Sequence, residues 1–291
     1  MSWRTVIVSN RAKLEYSMGY LVVRGEDTHK IFMDEISIVI VESTAVALTA
    51  VLLNECIKRK IKVIFCDETR NPASELLPYA CNYESSRQIR KQIKWTEIAK
   101  KAIWAEIVKE KIHRQKDLLE EYGEADAAQL LAEYAEEVED GDITNREGHA
   151  AKVYFNALFG KEFSRRKEFP ENVALNYGYA VLLSAFNRMI TSCGYLTQLG
   201  IFHENVFNPF NLGSDLMEPF RPIIDRKVLH MSFTEFATEQ KKDVAGIMSS
   251  PVNINGKSMS VENAIDIYTH SFFAAMETED VSVLKFYTLN A

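Results

Sequence analysis

Two glutamates and a histidine, Glu147, His203 and Glu218, stand where a core or a loop would ordinarily carry something else. Glu147 opens the segment Asn145-Arg-Glu-Gly-His-Ala-Ala-Lys-Val-Tyr-Phe-Asn-Ala-Leu-Phe159, whose apolar positions Ala150, Ala151, Tyr154, Ala157 and Leu158 recur at helical spacing. Residues at those offsets share one helix face, so the carboxylate is predicted to turn toward the core, where it needs a partner. Glu218 follows Asp215 by one turn in Ser214-Asp-Leu-Met-Glu-Pro-Phe-Arg-Pro-Ile-Ile-Asp225, and His203 precedes both in a short loop after Gly200. Two carboxylates and an imidazole drawn from three segments suit a divalent metal that takes oxygen ligands with one nitrogen. Blander readings stay open beside this one. Thr144 to Glu147 has the spacing of a capping box, a lone histidine is often structural, and Glu218 has Arg221 within pairing distance along a helix.

The elements that must position these groups fall into two classes. Residues 3–8, 13–17, 20–24, 30–33 and 36–41 are short runs rich in β-branched and aromatic residues, divided by turns such as Met18-Gly19 and Gly25-Glu-Asp27. A helix at 48–60 leads to a last strand at 62–66, after which Asp67-Glu-Thr-Arg-Asn-Pro72 punctuates the chain. Helices are predicted at about 82–116, 118–139, 145–159, 172–199, 214–231, 233–248 and 260–277. Ser232-Phe-Thr-Glu235 supports the start of the sixth as a capping box, and Pro219 and Pro222 must break or kink the fifth near Glu218. Asn255-Gly256 marks a hairpin. The expected fold class is α+β in two domains, a small N-terminal β-rich domain at 1–72, a linker at 73–81 and a larger all-α domain at 82–291.

A chain of 291 residues that is 47% hydrophobic has room for two cores. No apolar run approaches a membrane span or follows a basic start, so a cytoplasmic location is expected. Cys56, Cys66, Cys81 and Cys193 lack metal-knuckle spacing and read as reduced structural thiols. The net charge of −7 sits awkwardly with DNA binding, yet the charge is segregated. From Arg87 to Lys116 there are ten basic residues against three acids, and from Asp117 to Asp142 eleven acids and no lysine or arginine. Such a pair of helices offers a nucleic-acid face and a repelling face, or equally a solvated hairpin stitched by opposite charges.

Three spaced stretches, Asn145-Arg-Glu-Gly-His-Ala-Ala151, Ala174-Leu-Asn-Tyr-Gly-Tyr-Ala-Val-Leu-Leu-Ser184 and Asn211 to Asp225, resemble the universal integrase of CRISPR spacer acquisition in order and separation. Met1-Ser-Trp-Arg-Thr-Val-Ile-Val8, Ile64-Phe-Cys-Asp67 and Arg70-Asn-Pro72 extend the resemblance over nearly the whole chain and look most like the type II-A version. The resemblance implies a metal-dependent DNA integrase and endonuclease that joins the 3′-hydroxyl ends of captured DNA to the leader-proximal repeat of a CRISPR array by transesterification. It implies Glu147, His203 and Glu218 as catalytic metal ligands for Mg2+ or Mn2+, with Asp215 as an orienting group or auxiliary ligand. Arg87, Arg90, Lys91, Lys94, Asn176, Tyr177, Arg221 and Arg226 are candidate DNA contacts.

The implied partners are double-stranded prespacer DNA, leader-repeat DNA, a second copy paired through the β-rich domain, and a dimer of the small companion adaptation protein in a heterohexamer. The single-protein effector nuclease and a ring-shaped DNA-end-binding protein are expected to cooperate. The residues alone do not separate transesterification from hydrolysis of branched or single-stranded DNA, or from a non-catalytic adaptor that recruits DNA.

Overall fold

The structure, a computed structural model, describes residues 4–78, 82–165, 167, 169–231 and 236–289. It divides into two compact units, Met1–Ala80 with Ala237–Ser249, and Cys81–Phe236 with Ser250–Ala291. In chain order the first part of unit one holds β1 (Arg4–Val8), β2 (Ala12–Ser17), β3 (Tyr20–Arg24), β4 (Thr28–Phe32), β5 (Ile36–Val41), β6 (Val46–Leu48), α1 (Ala50–Lys58), β7 (Lys62–Cys66) and β8 (Pro72–Glu75). Then come α2 (Ser85–Gln92), α3 (Glu97–Glu121), α4 (Ala125–Glu136), α5 (Arg146–Phe159), α6 (Pro170–Ser192), α7 (Asn211–Leu216), α8 (Arg221–Leu229), α9 (Thr238–Ala245), β9 (Pro251–Ile254), β10 (Lys257–Ser260), α10 (Val261–Thr278) and β11 (Tyr287–Thr288). The fold is α+β, a β-rich region followed by a helical one. No helix among the described residues is long and apolar enough to cross a membrane.

In unit one, Ile36-Ser-Ile-Val-Ile-Val41 has no polar alternation to spend on a solvent face, and β5 is buried at every position between parallel neighbours β1 and β7. Antiparallel β8 completes that sheet, in the order β1-β5-β7-β8, while a second sheet runs β4-β3-β2-β6. The β2–β3 hairpin turns on Met18 and Gly19 with φ of 48° and 87°, the left-handed pair that a two-residue turn between twisted strands requires. Leu14, Leu21, Met33, Val39, Leu52, Cys56 and Val63 meet in one core. Burial pushes the Cys56 and Cys66 thiols up to about 11, as suits inert core groups. At three and four residues, strands β6 and β8 are too short to be seen in sequence. Nor does the sequence pattern anticipate that residues 237–249 belong with this unit: Glu42, wholly buried at 0% exposure, pairs with Lys241 at 3.0 Å and lies 3.8 Å from Arg70.

Unit two corrects several predicted boundaries. The basic stretch 82–116 is not one helix, because Thr96 caps a new one, its hydroxyl accepting from the Ala99 amide at 3.2 Å, and Trp95 packs against Tyr195, Phe272 and Phe273. Positive φ at Gly123 and Gly194 separates α3 from α4 and ends the α6 region earlier than expected. The predicted helix at 214–231 is α7, a 3-10 turn at Glu218–Phe220 and α8, with Pro219 and Pro222 each opening a new segment. Asn255 and Gly256 form the predicted hairpin, but β11 adds a third strand in the order β10-β9-β11, so the region is not all-α. The Ser232–Glu235 box lies outside the described residues.

Candidate active site

The long helix α3 packs against α4, α5, α8 and the Glu218 turn, and its buried seam runs through Trp104, Val108, Lys111, Gln115 and Leu118. A lysine on that seam needs counter-charge, and two glutamates supply it. Lys111 Nζ lies 2.5 Å from Glu147 Oε1 and 2.5 Å from Glu218 Oε2.

Glu147 reaches Lys111 because it is not engaged at its own helix end. The cap at Asn145 is left-handed, with φ of 54°, and Asp142 accepts from the amides of Arg146 at 2.7 Å and Glu147 at 3.1 Å. Asp142 thus takes the part that the capping-box spacing offered to the Thr144 hydroxyl, accepting from the Glu147 amide. Glu218 enters from the turn between α7 and α8, its other oxygen 2.9 Å from the Arg221 guanidinium. Burial by itself would lower the Lys111 pKa and raise that of Glu218. The attraction wins on both sides: Glu218 and Glu147 hold the ammonium above the ordinary lysine range, while Arg221 and Lys111 hold the Glu218 carboxyl below its own.

His203 is fixed by Asp215. This fully buried carboxylate accepts from the Ile201 amide at 2.7 Å, the Phe202 amide at 3.2 Å and the His203 amide at 3.1 Å, and its Oδ1 lies 2.5 Å from His203 Nδ1. A carboxylate only accepts, so Nδ1 carries the proton of the neutral ring and Nε2 its lone pair. The loop closes this tightly because residue 200 is glycine; a Cβ there would fall 2.4 Å from the His203 carbonyl oxygen and 2.7 Å from Asp215. Beneath it, the Trp104 ring stacks on Phe202 at 4.3 Å and meets His203 edge-on at 5.9 Å. The hydrogen bond to Asp215 raises the His203 pKa against the opposing effect of burial, and the charges of Asp215, Glu218 and Glu147 add to it.

Behind Glu218, Arg221 lies over the Tyr179 ring at 4.8 Å, and the Tyr154 and Tyr179 hydroxyls both donate to buried Asp225. Burial pushes Asp225 up to about 6 in spite of those bonds.

The other predicted residues scatter. Arg87, Arg90, Lys91 and Lys94 line a surface recess of about 460 Å³ with Ser86. Asn176 is exposed and accepts from Arg165 at 2.6 Å, whereas Arg226 is engaged with Glu121 at 2.9 Å. Tyr177 cannot be a DNA contact: it is buried at 1% exposure and packs on Phe236. Sequence reasoning missed Lys111, Trp104, Asp142 and Asp225, although a charge recurring on the Trp104–Val108–Gln115–Leu118 seam was a usable signal for the first.

Among the described residues no three His, Cys, Asp or Glu side chains are gathered closely enough to hold a metal ion as they stand. The donor set nevertheless suits an oxygen-preferring divalent ion. Two carboxylates already converge on one cationic nitrogen, and the adjacent imidazole has its tautomer set by a buried carboxylate.

The family described as CRISPR associated protein Cas1 matches residues 5–248. The chain belongs to the Cas1 family. A CRISPR-associated endonuclease Cas1 from Neisseria meningitidis serogroup C (strain 8013) is 34% identical over 98% of this chain and 96% of its own length. Another Cas1 endonuclease, from Francisella tularensis subsp. novicida (strain U112), is 24% identical over 85% of this chain and 87% of its own. Among solved structures, a casposase bound to integration product superposes with a TM-score of 0.77 at 18% identity, over 96% of this chain and 91% of that one. A Cas1 protein from Thermotoga maritima gives 0.74 at 18% identity, over 94% and 97%. A chain of a Cas6-RT-Cas1–Cas2 complex gives 0.73 at 18% identity over 97% of this chain, which spans 36% of that longer one. At these identities the structural likenesses establish the Cas1 fold.

Proposed function

We propose that this Cas1 family member is a CRISPR adaptation integrase, joining the 3′-hydroxyl ends of captured DNA to the leader-proximal repeat of a CRISPR array. The observation that carries the reading is the convergence of Glu147 and Glu218 on one cationic nitrogen beside an Asp215-fixed His203. The relatives named endonucleases and the casposase solved on an integration product support phosphodiester chemistry on DNA.

Glu147, Glu218 and Nε2 of His203 would hold Mg2+ or Mn2+. When bound, such an ion supplies Lewis-acid stabilisation to the charge that builds on the phosphate oxygens during transfer. Asp215 orients the imidazole and sets its tautomer, Arg221 keeps Glu218 ionised and in place, and the Trp104–Phe202 stack holds the His203 loop. The exposed residues Arg87 and Arg90 of α2 and Lys94 of the turn that follows it, with Lys91, engage DNA phosphates.

Residues 1–72 form the surface on which two copies pair, 82–291 carry the chemistry, and a dimer of the small companion protein bridges two such pairs. The Cas6-RT-Cas1–Cas2 structure supports that partnership. The sequence pieces at 1–8, 64–67 and 70–72 support a type II-A setting with the effector nuclease and a DNA-end-binding ring.

The test is manganese-dependent joining of a short duplex into a supercoiled repeat plasmid with the companion protein present. Wild type joins, while His203→Ala and Glu218→Ala dimerise normally and do not. Cleavage without joining would instead support the hydrolytic reading that the relatives' names favour. Unchanged activity in Glu147→Gln would support a non-catalytic adaptor.

A further inference from the structure

We propose that Lys111 is the resident cation of this site, so that a divalent ion loads only by displacing its ammonium from between Glu147 and Glu218. The inference rests on the metal-site reading above and deepens it by naming what controls loading.

Lys111 lies within 2.5 Å of one oxygen from each glutamate, with its own side chain 7% exposed and that of Glu218 5%. Two carboxylates this close would repel and resist joint ionisation without a positive charge between them. The ammonium therefore preassembles the ligands, and Arg221 balances the second charge: two carboxylates face one ammonium and one guanidinium. A divalent ion entering this neutral group leaves two positive charges in excess unless the lysine withdraws or negative charge arrives with it.

Lysine is suited to such an exchange. Its charge is a compact, strongly hydrated point at the end of a flexible stem, whereas a guanidinium is committed by its planar fork. The stem departs from a rigid 25-residue helix whose neighbouring seam positions are fully buried, so the head can move without the backbone. A phosphodiester bound beside the site supplies both the compensating charge and a new acceptor for the expelled ammonium. Metal loading is thus weak in the free protein and strengthened by DNA.

The experiment is a Mn2+ titration followed by electron paramagnetic resonance on the full chain without DNA, paired with calorimetric melting with and without Mn2+, for wild type, Lys111→Met, Lys111→Gln and Glu218→Gln. Removing the competing cation is expected to tighten Mn2+ binding by about tenfold, the scale on which groups next to ligands tune a metal site. The lysine variants should melt lower without metal and gain more on adding it. A lysine that only supports the fold would lower melting while leaving Mn2+ affinity unchanged or weaker, and that result overturns the proposal. If Glu218→Gln loses binding while the lysine variants match wild type, this inference alone fails. If all four proteins bind equally or not at all, the metal-site reading fails and takes the inference with it. Lys111→Gln retains polarity should Lys111→Met not fold.

Discussion

Trp104 and Lys111 occupy the same face of α3 two turns apart, and each supports a different part of the site: Trp104 underlies the His203 loop, and Lys111 lies between Glu147 and Glu218. One rigid element thus sets the distance between the imidazole and the carboxylates.

Asp215→Asn tests the tautomer. The substitution weakens the acceptor of the ring proton, so joining falls by about 10- to 100-fold as metal affinity drops. Imidazole NMR should find the His203 pKa moved down toward its ordinary value, because the Asp215 hydrogen bond is the leading cause of its rise. The sign for stability follows. A histidine whose folded pKa is raised contributes stabilisation fully present below about pH 6.5 and lost as pH climbs through the folded value. The melting difference between wild type and His203→Ala should therefore shrink toward alkaline pH.

Asp225 has the same sign for a different reason. Its folded pKa is raised from an ordinary 3.8 to about 6 by burial, so its contribution is present below the unfolded value and lost as pH rises through 6. Asp225→Asn keeps the uncharged form at every pH. Relative to it, wild type should lose on the order of 3 kcal/mol between pH 4 and pH 7. Denaturant melts at several pH values check this, and a constant difference would contradict it.

Phe202→Ala separates loop order from global stability. Phe202 is 46% exposed, so truncation costs about 1 kcal/mol. Its stack on Trp104 is what steadies the loop that presents His203, and Mn2+ affinity should fall with little change in melting temperature.

The basic stretch splits into two halves that differ in how far their charge is paired. On α3, Lys100 pairs with Glu97, Lys109 with Glu106, and Lys116 with Asp117 and Glu120, so their charge is largely spent within the helix. On α2 and the turn that follows it, Arg90 and Lys94 are exposed, and Arg87 pairs with Glu84 at 3.3 Å. The combined change Arg87→Gln, Arg90→Gln and Lys94→Gln should weaken duplex binding uniformly across sequences and reduce the salt slope by about 0.9 for each phosphate no longer neutralised. Lys100→Gln with Lys109→Gln should change it little, as fluorescence anisotropy at several salt concentrations would reveal.

Much of this was legible in the sequence. The run at 36–41, apolar but for Ser37, read as a strand, Pro219 and Pro222 had to interrupt the helix around Glu218, and Asn255-Gly256 had to turn. Glu147 was legible as a carboxylate on a core-facing stripe. Its partner was not, because Lys111 is 36 residues from Glu147 and 107 from Glu218 in sequence, and periodicity names a face without naming what opposes it. Lys111 was also hidden among basic neighbours that share its charge and not its surroundings. Asp142 escaped notice for the opposite reason: an acid in an acidic run reads as solvated, and its acceptance of the next amides comes with left-handed backbone at both Asp142 and Asn145. Tyr177 shows the converse error, where a motif position was taken for a DNA-facing one although its helix turns it inward.

The buried pair of Glu42 and Lys241 puts a clock on synthesis. Glu42 leaves the ribosome roughly 200 residues before the lysine that neutralises it, a delay on the order of 10–40 s at about 5–20 residues per second. Throughout that interval the first unit lacks its final segment, and the whole stretch from 81 to 236 is made in the meantime. The sheets of the first unit are therefore made long before the segment that completes their unit.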